Sequence, residues 1–279
     1  MALRPDLVGT RSDAAEFSWT ADDVMLYALA VGAGQGDPLE DLAFTTENTE
    51  GAPLKVLPTF ANIITRAATV DLGEVDRTQL VHAEQTFLLH APLPVAGRAR
   101  VAATVTAVED KGRGAIVRTQ ADAVDAATGA PLVTSVQSVF LGGEGGFGGP
   151  RGESAPSAIP ERAPDHVVTV ATRPEQALLY RLTGDRNPLH TDPAFAARGG
   201  FTRPILHGMC TYGLAARAVM CTVAGNDPDR VTGMTARFTR PVLPGDELTV
   251  AIWSDGGAAH FRTTCGDDVV LDRGRLDVA

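Results

Sequence analysis

Two stretches of this chain read as copies of one another, and that near-repetition limits the fold more than any single residue does. "HAPLPVAGRARVAATV", residues 90–105, and "TRPVLPGDELTVAIW", residues 239–253, each run from a strand end through a proline-containing bend and a glycine into a new strand. A helical stretch precedes each copy, "DDVMLYALAVGAG" in the first and "PEQALLYRLTG" in the second. Stretches of β-branched alternation follow, among them "GAIVRTQADAVDAATGAPLVTSVQSVFL", "AHFRTTCGD" and "VVLDRGRLDV". A repeat this long does not suit a solenoid and suits two copies of one α+β unit. Between the copies lies "GGEGGFGGPRGESAPSAIPERAP", residues 142–164, where hydrophobic periodicity vanishes. The expected division is a first unit over 1–150, a linker over 151–164 and a second unit over 165–279.

Gly143, Gly145 and Gly148 in the linker region satisfy G-x-G-x-x-G after a candidate strand. Pro150 and a Pro/Ser-rich tract then occupy the place where a phosphate-binding helix would begin, so no dinucleotide site is expected. Composition removes further classes. With 44% hydrophobic and 21% charged residues the chain is that of a globular protein, and no apolar run is long enough to span a membrane. A net charge of −10 with no compensating basic cluster argues against nucleic-acid binding. The N-terminus lacks the basic-then-apolar order of a signal peptide, and the expectation is a cytoplasmic protein. Cys210, Cys221 and Cys265 have neither CxxC spacing nor an even count, so they are expected to be free thiols.

Chemistry concentrates in the second unit. Thr172 and Glu175 form a T-x-x-E capping box with Pro174 in the first turn; Leu178 and Leu182 share a face and Gly184 supplies the stop. Asp185 therefore lies just past a helix end, and the Asn187-Pro188 turn swings His190 back toward it. A second helix is expected from His207-Gly208 through "MCTYGLAARAVMCTVA" to Gly225-Asn226. It is apolar nearly all round, as a helix enclosed by a sheet should be. At its N-terminus the Gly208 N–H has no partner within the helix, is reinforced by the macrodipole and carries no obstructing side chain, which are the requirements of an oxyanion site.

The stretch "YRLTGDRNPLHTDPAFAARGGFTRPILHGMCTYG" resembles the signature of the hydratase 2 family, the MaoC-like (R)-specific enoyl-CoA hydratases, with its D-x-N-P-x-H motif and following P-I-L-H-G segment. "LPTFANII", "VHAEQTFLLHAPLP", "VEDKGRGAIV" and "GGFGGPRG" are similar to the first half of its two-hot-dog members, so the resemblance covers almost the whole chain. It implies an α+β double hot-dog, each half a long helix wrapped by an antiparallel sheet, with the catalytic residues kept only in the second half. By resemblance Asp185 and His190 are the acid/base pair, Asn187 orders the site and Gly208 supplies the oxyanion N–H. The same resemblance implies an acyl-CoA thioester substrate, no metal or organic cofactor and a homodimer. The first half would then be free to hold the acyl chain, with "LPTFANII" as a candidate lining. Lys55, Lys111, Arg113, Arg198 and Arg203, the cations nearest the motifs, are the candidates for the CoA phosphates.

Other readings of the same residues are blander. An Asp after a helix and an Asn-Pro turn are ordinary loop features, and only their conjunction with His207-Gly208 favours a site. His207 itself reads as a brace for the loop. His190, Asp192 and His207 could be drawn as a zinc set, but they lack H-E-x-x-H or cysteine spacing. On the strand expected around His82, Glu84 and Gln85, alternation points His82 and Glu84 the same way, toward a groove or toward solvent. The neighbouring functions are dehydration on an acyl-carrier-protein substrate, non-catalytic binding of an acyl thioester, and thioester hydrolysis. The last would not need this acid/base spacing.

Overall fold

The computed structural model describes residues 3, 5–76, 79–153 and 159–279, so residues 154–158 of the expected linker lie outside the described residues. The first half runs β1 (Ala15–Trp19), α1 (Ala21–Ala30), α2 (Leu42–Thr45), α3 (Ala61–Thr65), β2 (Leu80–Leu89), β3 (Gly97–Asp110), β4 (Gly114–Asp125) and β5 (Pro131–Gly142). The second runs β6 (His166–Ala171), α4 (Gln176–Tyr180), α5 (Pro193–Arg198), α6 (Gly208–Val223), β7 (Val231–Phe238), β8 (Glu247–Asp255), β9 (Ala258–Cys265) and β10 (Asp268–Val278). All ten strands join one antiparallel sheet in the order β1-β3-β4-β5-β2-β7-β10-β9-β8-β6. Numbered within its own half, the second run of five is the first run reversed. The halves therefore meet through equivalent strands, β2 beside β7, with Thr86 opposite Thr235. The two hydroxyls lie 2.7 Å apart. This is the α+β double hot-dog.

Helix α6 is the central helix of the second half. Cys210, Tyr212, Leu214, Ala215, Val219 and Met220 are all buried, and every strand of the second half contacts it. The apolar surface of residues such as Leu214 and Met220 contributes on the order of 1.5–3 kcal/mol each when removed from water. Its close approach to α1 requires a glycine, because a Cβ on Gly213 would sit 2.5 Å from Val31 Cγ1 and 3.1 Å from the Tyr27 hydroxyl. Among its described residues the first half has no helix of matching length. Its counterpart is a 3-10 turn, Pro58–Phe60, followed by the five residues of α3. Ile63, Ile64 and Thr65 put three β-branched side chains in a row, a poor basis for extending a helix. The ten-residue helix α1 supplies further core in their place through Val24, Tyr27 and Ala28.

One local expectation changes. Thr172 does not cap α4: its hydroxyl donates to Asp246 O (2.7 Å) and accepts from Gly245 N (2.9 Å), which hooks the strand end onto the turn before β8. Gln176 reaches back instead, accepting from Arg173 N, while its amide donates to Ala30 O across the half boundary. The Gly-rich tract after β5 does cradle an anion, but one from its own chain. The Asp110 carboxylate accepts from the N–H groups of Gly112, Gly146 and Gly148 at 2.8–2.9 Å. The bonds from Gly146 and Gly148 fasten the tract before the expected linker to the β3–β4 turn. No helix among the described residues is long and apolar enough to cross a membrane.

Candidate active site

The loop from α4 to α6 builds the site. Gly184 ends the 3-10 turn after α4 with φ of 111°, a conformation that favours glycine, and turns the chain so that Asp185 follows at once. Asp185 Oδ1 accepts from Asn187 N (3.2 Å), and Asn187 Oδ1 accepts from Leu189 N (3.0 Å). These two side-chain turns fold residues 185–190 back on themselves and deliver His190 beside Asp185. His190 is buried, and its Nδ1–H donates to Ile205 O at 2.9 Å. A carbonyl can only accept, so that bond leaves Nε2 as the basic nitrogen of a neutral ring. His207 is the N-cap of α6, and Gly208 is its first residue.

Asp185, Asn187, His190 and Gly208 line one cavity of about 370 Å³. Its remaining wall is largely apolar, with Phe201, Ile205, Met209, Phe238 and Val270 among the lining residues. The volume is in the range of small-molecule sites. The first half contributes Leu80, Val81 and His82 from β2, which reaches the cavity because it is the strand next to β7. "LPTFANII" does not line it: Leu57, Phe60, Ala61, Ile63 and Ile64 are core residues.

Electrostatics assigns the resting charges. Burial pushes the Asp185 carboxyl up, but His207, the Asn187 N–H and the Arg66 guanidinium outweigh it and hold the group below the ordinary carboxylate range. Burial lowers His190, with His82 acting in the same direction and the Ile205 carbonyl and Asp185 opposing. Burial, then His190, push His207 down to about 3. His82 is lowered mainly by burial. Near neutral pH the site therefore holds a carboxylate among uncharged imidazoles.

Potential ligand atoms of Asp185, His190 and His207 all lie within 4.8 Å of one another. The two imidazoles, however, are stacked, with centroids 3.8 Å apart and planes 30° apart. A metal bound by both would need to lie near both ring planes, and stacked rings do not offer such a point at bonding distance. Asp192, drawn into the zinc set on sequence grounds, instead caps α5 by accepting from Ala194 N and Phe195 N.

None of the five expected phosphate-binding cations lines the cavity. Lys55 is paired with Asp227 and Asp229, and Lys111 with Glu109. Arg113 belongs to the β3–β4 turn, where its carbonyl accepts from Gly143 N. Arg198 lies over the Phe195 ring, and Arg203 is exposed on the loop that supplies Phe201 and Ile205. Arg240, which sequence reasoning passed over, does line it, in an exposed pair with Asp268 at 3.0 Å. His82 and Glu84 do not point the same way. In the β2–β5 ladder His82 faces Val139 and Glu84 faces Ser138, a bulge at Ala83 that reverses the alternation.

The equivalent place in the first half is built differently. The sequence offset that relates Thr86 to Thr235, counted back from Gly208, reaches Thr59, a buried residue preceded by Pro58. The nearby cavity, lined by Leu57, Pro58, Thr59 and Arg217, is only about 10 Å³. Arg217 is held there by Asp41.

Comparison with known proteins gives this arrangement a family. The MaoC like domain matches residues 156–272, and the MFE-2 hydratase 2 N-terminal domain matches residues 17–143. A 3-hydroxyacyl-thioester dehydratase Y from Mycobacterium tuberculosis is 44% identical over 290 residues, covering 99% of this chain and 99% of its own. The chain belongs to the MaoC-like dehydratases. An enoyl-CoA hydratase, ChsH3, from the same organism is 43% identical, covering 89% of this chain and 88% of its own. Among solved structures, a MaoC-like dehydratase from Phytophthora capsici superimposes with a TM-score of 0.87 at 27% identity, covering 99% of this chain and 98% of that one. Like the MaoC-like dehydratases it joins, this chain is an enzyme of the hydro-lyase class.

Proposed function

We propose that the chain catalyses the (R)-specific hydration of trans-2-enoyl-CoA to (3R)-3-hydroxyacyl-CoA, and the reverse dehydration, with Asp185 and His190 as the acid/base pair and the Gly208 N–H as oxyanion donor. The observation that carries this reading is the convergence of Asp185 and His190 in one largely apolar cavity at the N-terminus of α6. Two relatives named as hydratase and as dehydratase support it, since these are opposite directions of one reaction.

Proton balance follows from the resting charges. The Asp185 carboxylate and His190 Nε2 both enter able to accept a hydrogen bond from one water molecule. As the water oxygen bonds to C3, one of the pair takes its proton and thereby becomes the acid that protonates C2. Charge on the thioester oxygen is met by the helix-end N–H. No step needs a metal or an organic cofactor. Asn187 acts on Asp185 through its backbone N–H and on the turn through its side chain. The division into halves at residues 151–164 and the homodimer belong to the same proposal.

The test is purified protein with crotonyl-CoA and longer trans-2-enoyl-CoAs, following loss of the enoyl-thioester absorbance. Asp185→Asn and His190→Gln should each fold and lower kcat by at least ~100-fold, the usual contribution of a positioned acid or base. Wild-type turnover in either variant removes that residue from the pair.

A further inference from the structure

His207 does not line the cavity, yet its side chain touches what does. It is 1% exposed, and Nε2–H donates to the backbone carbonyl of Asp185 at 3.3 Å. One ring face stacks on His190 with centroids 3.8 Å apart, and the Tyr180 ring lies 4.9 Å away. Its own peptide precedes Gly208 and opens α6, with its carbonyl accepting from Cys210 N and Thr211 N. One rigid side chain is thus fixed to the carboxylate's backbone, to the imidazole's plane and, through the chain, to the helix-end N–H. Its Nδ1 is buried without a hydrogen-bond partner, an arrangement that costs about 1–3 kcal/mol in a protein interior.

We propose that His207 is a positioning residue for the reaction, setting the separation and relative orientation of Asp185 and His190 by stacking on one and hydrogen-bonding the backbone of the other. This rests on the reading of Asp185 and His190 as the acid/base pair. Beyond the loop-bracing role expected from sequence, His207 couples the two reactive groups to the start of α6. Small displacements in such a constellation are expensive, since a shift of ~1 Å costs on the order of 100-fold in rate.

Two variants separate the contacts. His207→Phe keeps an aromatic face against His190 and Tyr180 but loses the bond to Asp185 O. His207→Ala loses both and opens space beside His190. We expect kcat to fall roughly 10-fold in the Phe variant and roughly 100-fold in the Ala variant, with KM changed less than about threefold in each. The groups facing His190 are Asp185, His82, His207 and, beyond them, Arg66. Removing the stacked ring relieves part of the burial that depresses His190. The acid limb of kcat/KM should therefore move to higher pH in the Ala variant by more than in the Phe variant, which loses only the contribution of His207 to Asp185. Unchanged kcat in His207→Ala, or equal losses in both variants with an unmoved limb, would overturn the proposal. His190→Gln is measured alongside: if it turns over normally, the acid/base reading falls as well. If it is inactive while His207→Ala is wild-type-like, only the positioning role falls.

Discussion

Gly208 offers a substitution that removes the proposed oxyanion donor with little harm to the fold. It is the first residue of α6, its φ lies outside the left-handed region, and His207 before it has φ −56° and ψ 129°. Proline is favoured at the first helical position, and the residue before a proline prefers the extended backbone that His207 already adopts. Gly208→Pro should therefore delete the N–H while α6 still forms. Alanine is the control, because it keeps the N–H and adds the same Cβ. That Cβ would point at Phe238 and lie 3.3 Å from its Cδ1 and Cε1, so the ring must give by a few tenths of an ångström. Phe238 lines the cavity and also packs near His82 and Tyr212. On the scale where ~1 Å costs ~100-fold, this shift corresponds to a loss of roughly three- to tenfold. Ala at a helical position gains up to ~1 kcal/mol over Gly, which offsets the tight contact and leaves stability nearly unchanged. Loss of an oxyanion donor costs ~100 to 1,000-fold in kcat. Crotonyl-CoA kinetics and thermal denaturation of both variants give the comparison. If both fold and their kcat values agree within about threefold, the Gly208 N–H does not stabilise the thioester oxygen and the helix-end reasoning is wrong.

Two further outcomes follow from the same geometry. In the proposed mechanism the pair works with Asp185 ionised and His190 neutral, and both groups are held below their ordinary ranges. The kcat/KM profile should thus be flat through neutral pH and fall on the acid side below about 6.5, the ordinary histidine value, with no alkaline limb from either group; an acid limb above that value would contradict the depressed His190. Prolonged chelation should leave turnover unchanged, because the stacked rings of His190 and His207 do not offer a shared metal position; loss of activity restored by zinc would establish a metal role for this cluster.

Local chemistry made much of the second half legible. Gly184 as a stop, the Asn187 turn and the apolar run from Gly208 each specify their structure within a few residues, and together they bring Asp185, His190 and the helix end into one place. What sequence reading missed depends on partners far along the chain. Thr172 bonds to the turn before β8, and no pattern around Thr172 announces Asp246. The bulge at Ala83 puts His82, which lines the cavity, on the opposite face from Glu84, where alternation places the two together. Lys55 has its partners more than 170 positions away, at Asp227 and Asp229. The loop of the Gly143–Gly148 pattern closes on the Asp110 carboxylate, a partner more than 30 positions earlier.

The stereochemistry of the product tests the central claim most directly. Trans-2-enoyl-CoA is incubated with the purified protein, and the 3-hydroxyacyl group is released and resolved by chirality. If Asp185 and His190 hold water against one face of C3 while the Gly208 N–H holds the thioester oxygen, a single enantiomer forms, the (3R) alcohol of the proposed reaction, and it is absent with Asp185→Asn. A (3S) or racemic alcohol, or equal hydration by that variant, would contradict the account.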